Sequence, residues 1–144
     1  MLLLTKKFRF EMAHAIFGHQ GPCRNIHGHS YELQVTVAPR WTENGYIEAP
    51  GFILDFKELK GLIVSSIVEL FDHKLILSKD FISQYPAIRS LENLLIWSAE
   101  PTAENLLLYM QMTIREQLPE QMELRRLILY ETRDSYADWE NGIK

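Results

Sequence analysis

Residues 8–37 read FRFEMAHAIFGHQGPCRNIHGHSYELQVTV, and the periodicity of this stretch decides the fold. Phe8, Phe10, Met12 and His14 fall on one face of an alternating run over residues 3–14, with Arg9, Glu11 and Ala13 on the other. A second alternating run covers residues 27–38, with His29, Tyr31, Leu33, Val35 and Val37 facing one way and Ser30, Glu32, Gln34 and Thr36 the other. Period-two alternation predicts two half-buried strands. Gly18, Gly21, Pro22 and Asn25 make residues 15–26 the loop between them. Both strands carry histidines on their apolar faces, where other elements cover them.

Outward from this pair, Pro39 to Gly51 reads as a connection. Asp55 is an N-cap candidate, and Phe56, Leu59, Ile63, Ile67 and Leu70 follow at helical spacing, which predicts an amphipathic helix over 56–71. Residues 74–101 contain Pro86 and Pro101 and suggest a short helix near 90–97. Thr102 caps a further helix marked by Leu106, Met110, Ile114 and Leu118 and ended by Pro119. Residues 122–132 alternate again, and a short strand is expected over 135–139. The order strand, strand, helix, helix, strand, strand predicts an α+β fold: a four-stranded antiparallel sheet with two helices on one face. A sheet this small keeps exposed edges, and pairing them between subunits would form an oligomer.

The 144 residues suffice for one domain spanning 1–144. Hydrophobic residues make up 47% and charged residues 24%, an ordinary globular balance. A formal charge of −4 without a basic run argues against a nucleic-acid partner. The apolar run Leu2 to Leu4 is too short for a signal peptide or membrane span. A single cysteine, Cys23, has no intrachain partner, which suits the reducing cytoplasm.

Four histidines (His14, His19, His27 and His29) and that cysteine fall between positions 14 and 29, with His19 in the loop and without a partner. His27 and His29, two apart on a strand, point to the same face, and a paired strand brings His14 beside them. Three imidazoles without an obvious fourth ligand describe a zinc site with an open position, although nickel and iron accept the same ligands. Cys23 admits three readings: a fourth ligand closing a structural site, an inert thiol, or a reactive thiolate beside the metal. Asp72-His73 follows the first helix; an aspartate can orient a histidine, but adjacent residues rarely bond each other that way, and a favourably placed helix-terminal histidine is the plainer reading. Glu131 on an apolar strand face needs partners: an internal arginine, or a ligand with adjacent N–H donors such as the amino-pyrimidine edge of a pterin. Glu104 in the first turn of its helix most simply complements the helix dipole.

F-x-F-x-x-A-H (Phe8 to His14), C-x-x-x-H-G-H (Cys23 to His29), L-D-F (Leu54 to Phe56), D-H (Asp72-His73), P-T-x-E-N (Pro101 to Asn105) and E-T (Glu131-Thr132) occur in this order. Together they resemble the 6-pyruvoyltetrahydropterin synthase family, and within it the bacterial 6-carboxytetrahydropterin synthases of queuosine biosynthesis. The resemblance implies the tunnelling fold (T-fold), a homohexamer built as a dimer of trimers, and active sites at subunit interfaces. It makes His14, His27 and His29 the zinc ligands, Cys23 the catalytic thiol working with Asp72 and His73, Glu131 the pterin anchor, and Thr102 and Glu104 pocket contacts. The implied reaction converts 7,8-dihydroneopterin triphosphate to 6-carboxy-5,6,7,8-tetrahydropterin, with acetaldehyde and triphosphate released. A pyruvoyl-type synthase and a non-catalytic zinc-containing binding module are the alternatives. The cysteine stands three residues before His27, as in the carboxy group, and Arg24 is a candidate contact for the triphosphate. The stretch from Lys74 to Glu100 is longer than in the compact bacterial members.

Overall fold

The computed structural model describes residues 1–42 and 44–142. The two alternating runs form β1 (Leu4–His14) and β2 (His27–Pro39), which pair antiparallel along their whole length. Phe8, Phe10, Met12 and His14 of β1 are buried, as are Tyr31, Leu33, Val35 and Val37 of β2. Phe10 stacks on Tyr31 across the pair with ring centroids 5.2 Å apart. The carboxylate of Asp55 accepts from the Lys57 amide at 2.8 Å and starts α1 (Phe56–Ile63). The chain then passes through a π-helical stretch (Val64–Val68) into the short α2 (Glu69–Phe71). Leu59, Ile63, Ile67 and Phe71 form the buried stripe along this helical run, whereas Phe56 is exposed. Thr102 caps α4 (Ala103–Gln117), whose Leu106, Met110 and Ile114 are fully buried. These two helical segments cover one face of the sheet. There their side chains join those of β1, β2 and β5 (Met122–Tyr130) in the main core.

The sheet has six strands rather than four, in the order β4-β3-β1-β2-β5-β6, and it is mixed rather than antiparallel. The two additional strands come from the long stretch after residue 73: β3 (Lys74–Ser78) and β4 (Leu94–Trp97), where the sequence suggested a short helix. β3 runs parallel to β1, and β4 parallel to β3. The physical reason is burial on both faces. Ile76 faces the main core, while Leu75 and Leu77 join a second cluster with Ala15, Phe81 and Ile82 on the opposite side. A strand buried on both sides shows a continuous apolar run with no alternation to read. Phe81 and Ile82 belong to α3 (Lys79–Gln84), capped by Ser78, so a third helix lies against the other face. β6 (Tyr136–Glu140) forms the far edge beside β5, and a bidentate pair from Arg126 to Asp138 ties the two. Among the described residues no helix is long and apolar enough to cross a membrane.

Candidate active site and metal centre

The β1/β2 register places His14 directly opposite His27, and Met12 opposite His29. Side chains two apart on β2 share a face, so three imidazoles converge at the end of the pair. Each offers a ring nitrogen within 4.8 Å of the others. His14 is buried, and His27 and His29 are half-buried.

Two backbone carbonyls decide which nitrogens face inward. His14 Nδ1 lies 2.6 Å from the Pro101 carbonyl oxygen, and His27 Nδ1 lies 2.7 Å from that of Asn25. A carbonyl only accepts, so each Nδ1 must carry the proton, and the neutral ring then presents a bare Nε2. Those two Nε2 atoms stand 3.1 Å apart, with no proton left to lie between them. The buried Nε2 of His29 has no hydrogen-bond partner. Burial, as the largest cause, lowers His14 to about 4; the Pro101 carbonyl opposes this, and the neighbouring His27 and His29 add to it. Burial also lowers His29, against the raising effect of Glu131. Converging lone pairs on rings held neutral fit a cation, and a three-imidazole set fits zinc. The Cys23 thiol is not among the ligand atoms of this cluster.

The triad sits in a pocket of about 320 Å³ that Cys23, Glu131, Thr102 and Glu104 also line. That is within the size of small-molecule sites. Cys23 is exposed on a 3₁₀ turn (Pro22–Arg24). Its loop is tied down twice: the Ile16 amide donates to the Cys23 carbonyl at 2.9 Å, and the Phe17 amide to Glu100 Oε1 at 2.6 Å. Glu131 lies one residue beyond β5, in the turn to β6, where its amide donates to the Ser135 carbonyl. Its Oε1 is 3.9 Å from His14 Nε2, so the carboxylate faces the histidine cluster rather than an internal arginine. Thr102 accepts the Asn105 amide at 3.2 Å through its hydroxyl, and Glu104 is exposed on the first turn of α4. Arg24 lines an adjoining groove with Phe81 and Tyr85, outside this pocket.

Asp72 and His73 do not line this pocket. His73 lines a different cleft of about 400 Å³, beside Glu11, Ser30, Lys74 and Asn93. Contrary to the expectation for neighbouring residues, the two side chains do meet, with His73 Nδ1 at 3.0 Å from Asp72 Oδ2. The cause is a left-handed backbone at His73, φ 61°. The Glu11 amide donates to Asp72 Oδ1 at 2.9 Å. This bond, foremost, and the His73 contact hold the Asp72 carboxyl below its usual range.

Sequence reasoning missed the carbonyls of Pro101 and Asn25 that orient the triad. Carbonyl oxygens carry no residue signature, and only the position of Pro101 inside P-T-x-E-N hinted at a role. It also left His19 without a partner, whereas His19 lines the pocket and accepts the Gly21 amide at 2.7 Å.

A model of the family described as 6-pyruvoyl tetrahydropterin synthase matches residues 3–142. A 6-carboxy-5,6,7,8-tetrahydropterin synthase of Rickettsia bellii is 30% identical over 142 residues, covering 96% of this chain and 99% of that protein. One of Haemophilus influenzae is 38% identical over 76 residues, covering 53% of this chain and 52% of that protein. Among solved structures, an uncharacterized protein of Wolinella succinogenes superposes with a TM-score of 0.77 at 19% identity, covering 98% of each chain. The 6-pyruvoyl tetrahydropterin synthase of Caenorhabditis elegans gives 0.68 at 17% identity, over 98% of this chain and 96% of that one. At these identities the structural likeness speaks for the fold.

Proposed function

This chain belongs to the 6-pyruvoyl tetrahydropterin synthase family, and from that premise we propose that it is a zinc-dependent 6-carboxy-5,6,7,8-tetrahydropterin synthase. As such it is a lyase that converts 7,8-dihydroneopterin triphosphate and one water to 6-carboxy-5,6,7,8-tetrahydropterin, acetaldehyde and triphosphate, and supplies queuosine precursor synthesis in the cytoplasm. One observation carries the reading: two bare imidazole nitrogens and a third without a hydrogen-bond partner converge in a pocket that also holds a carboxylate and a thiol outside the ligand cluster. A thiol outside the ligand set argues against a closed structural site and a mere binding module.

His14, His27 and His29 would hold the zinc, which when bound would supply Lewis acidity toward the substrate's side-chain oxygens. Glu131 receives the two N–H donors of the amino-pyrimidine edge and so fixes the ring against the histidine cluster. Thr102 and Glu104 line the wall beside it. Cys23, as thiolate, removes a proton from the substrate side chain at the pocket rim. His73 takes or returns the second proton through its outward nitrogen, and Asp72 steadies the charged form. In one chain His73 lines a different cleft from the thiol, and its side chain is 78% exposed. A site shared between subunits of a homohexamer, a dimer of trimers, would bring one subunit's dyad to its neighbour's thiol. The sheet edges β4 and β6 are free for such pairing within the chain described.

The deciding experiment is incubation of the purified, zinc-loaded protein with 7,8-dihydroneopterin triphosphate, with products identified by mass spectrometry. The expected products are 6-carboxytetrahydropterin and acetaldehyde in equal amounts. A pyruvoyl tetrahydropterin with acetaldehyde absent would move the chain to the other branch of its family, and an untouched substrate would defeat the reading altogether.

A further inference from the structure

His73 is the one non-glycine residue with positive φ among the described residues. A side chain with a β-carbon holds that conformation only where its surroundings impose it. Three hydrogen bonds do so here. The His73 amide donates to the Glu11 carbonyl at 2.6 Å. The side-chain amide of Asn93 donates to the His73 carbonyl at 3.1 Å. The Leu75 amide then donates to the carbonyl of Asn93 at 2.9 Å. Asn93 therefore grips the chain on both sides of Lys74, from a position just before β4 in the long stretch between residues 74 and 100.

The turn has a chemical consequence. It carries the His73 ring back over its predecessor, to 3.0 Å from Asp72. Asp72 is itself anchored through its other oxygen to the Glu11 amide. A carboxylate accepting from Nδ1–H leaves Nε2 unprotonated and pointing outward. A histidine released from the carboxylate reverts mainly to the Nε2–H tautomer, whose outward nitrogen no longer accepts a proton. Glu11 thus holds both members of the dyad through its main chain, and Asn93 adds the side-chain hold on His73.

We infer that Asn93 is a positioning residue: its side-chain amide holds the left-handed turn at His73 and thereby selects the tautomer that this histidine brings to proton transfer. The inference rests on the reading that His73 moves a proton in the lyase reaction. The long 74–100 stretch, on this account, supplies β4 and also the latch for the dyad.

The test uses the full-length, metal-loaded protein labelled with ¹⁵N-histidine. Long-range proton–nitrogen correlation spectra report the tautomer of each ring, and His73→Gln identifies the His73 signals. Asn93→Ala and the isosteric, uncharged Asn93→Leu both remove the donor and keep the main-chain bond to Leu75. The wild type should show His73 as Nδ1–H, and both variants should shift it to Nε2–H. Turnover should fall about ten- to a hundredfold in kcat, with KM and metal content unchanged. Either variant keeping the Nδ1–H form overturns the inference, and so does a fall in kcat that leaves the tautomer untouched. Should His73→Gln turn over normally, the catalytic reading of the dyad is lost, and with it the catalytic half of the inference. The tautomer measurement then still judges the hold of Asn93 on its own.

Discussion

His14 Nε2 and His27 Nε2 face each other at 3.1 Å while both rings give their Nδ1 protons to main-chain carbonyls. Two lone pairs at that separation repel, and a shared cation turns the repulsion into attraction. His27→Ala should therefore release the metal, weakening binding by more than about a hundredfold, beyond the usual loss on removing an outer-shell partner. Metal analysis after dialysis checks this. Full occupancy in the variant would remove His27 from the ligand set.

The metal-free protein should lose stability in acid. His14 in the fold lies at about 4, against an ordinary 6.5. Between these values the unfolded chain binds a proton that the folded chain does not, so stability is complete above pH 6.5 and drains as pH falls toward 4. The gap corresponds to on the order of 3 kcal/mol for this buried ring. Urea titrations of metal-free wild type and His14→Gln across that window check it. Parallel pH profiles for the two proteins would contradict the assignment.

Cys23→Ala should separate thiol chemistry from metal binding. Because the thiol stands outside the ligand cluster, bound metal should stay at the wild-type level. Turnover should fall about a hundred- to ten-thousandfold, the usual contribution of a general base. Loss of metal together with activity would make Cys23 a ligand.

Glu131→Gln should weaken pterin binding about ten- to a hundredfold, since a charge-assisted hydrogen bond is worth about 1.5–3 kcal/mol. Metal content should not change. Calorimetric titration with a reduced pterin measures the effect, and unaltered affinity would relocate the anchor.

Leu77→Ala should destabilise the fold by about 2–5 kcal/mol, the range for emptying a buried leucine site. Leu77 is fully buried in the small cluster that seats α3 on the sheet. Urea denaturation gives the number, and a loss under about 0.5 kcal/mol, the range of surface substitutions, would mean that this cluster is loosely packed.

Much of this molecule was legible before any tertiary structure. Alternation located β1 and β2 because each has one face in the core and one in solvent, and a periodic environment writes a periodic sequence. The stripes along α1 and α4 were legible for the same reason, as was the convergence of His14, His27 and His29, because side chains two apart on a strand must share a face. β3 was not legible: with Ile76 in one core and Leu75 and Leu77 in another, both faces demand the same residues and no period survives. β4, four residues long, is too short to distinguish from a helical turn.

The chain by itself determined which atoms could bind a metal, since residue type and strand spacing are local properties. Tertiary structure decided their state. The carbonyls of Pro101 and Asn25 chose the tautomers, and burial made His14 neutral. The tertiary fold likewise set the dyad apart from the thiol, and it turned His73 back onto Asp72 through Glu11 and Asn93, which are 62 positions before and 20 positions after it. Hydrogen bonds between residues so distant depend on how strands lie beside one another, and no short-range pattern in the chain records that.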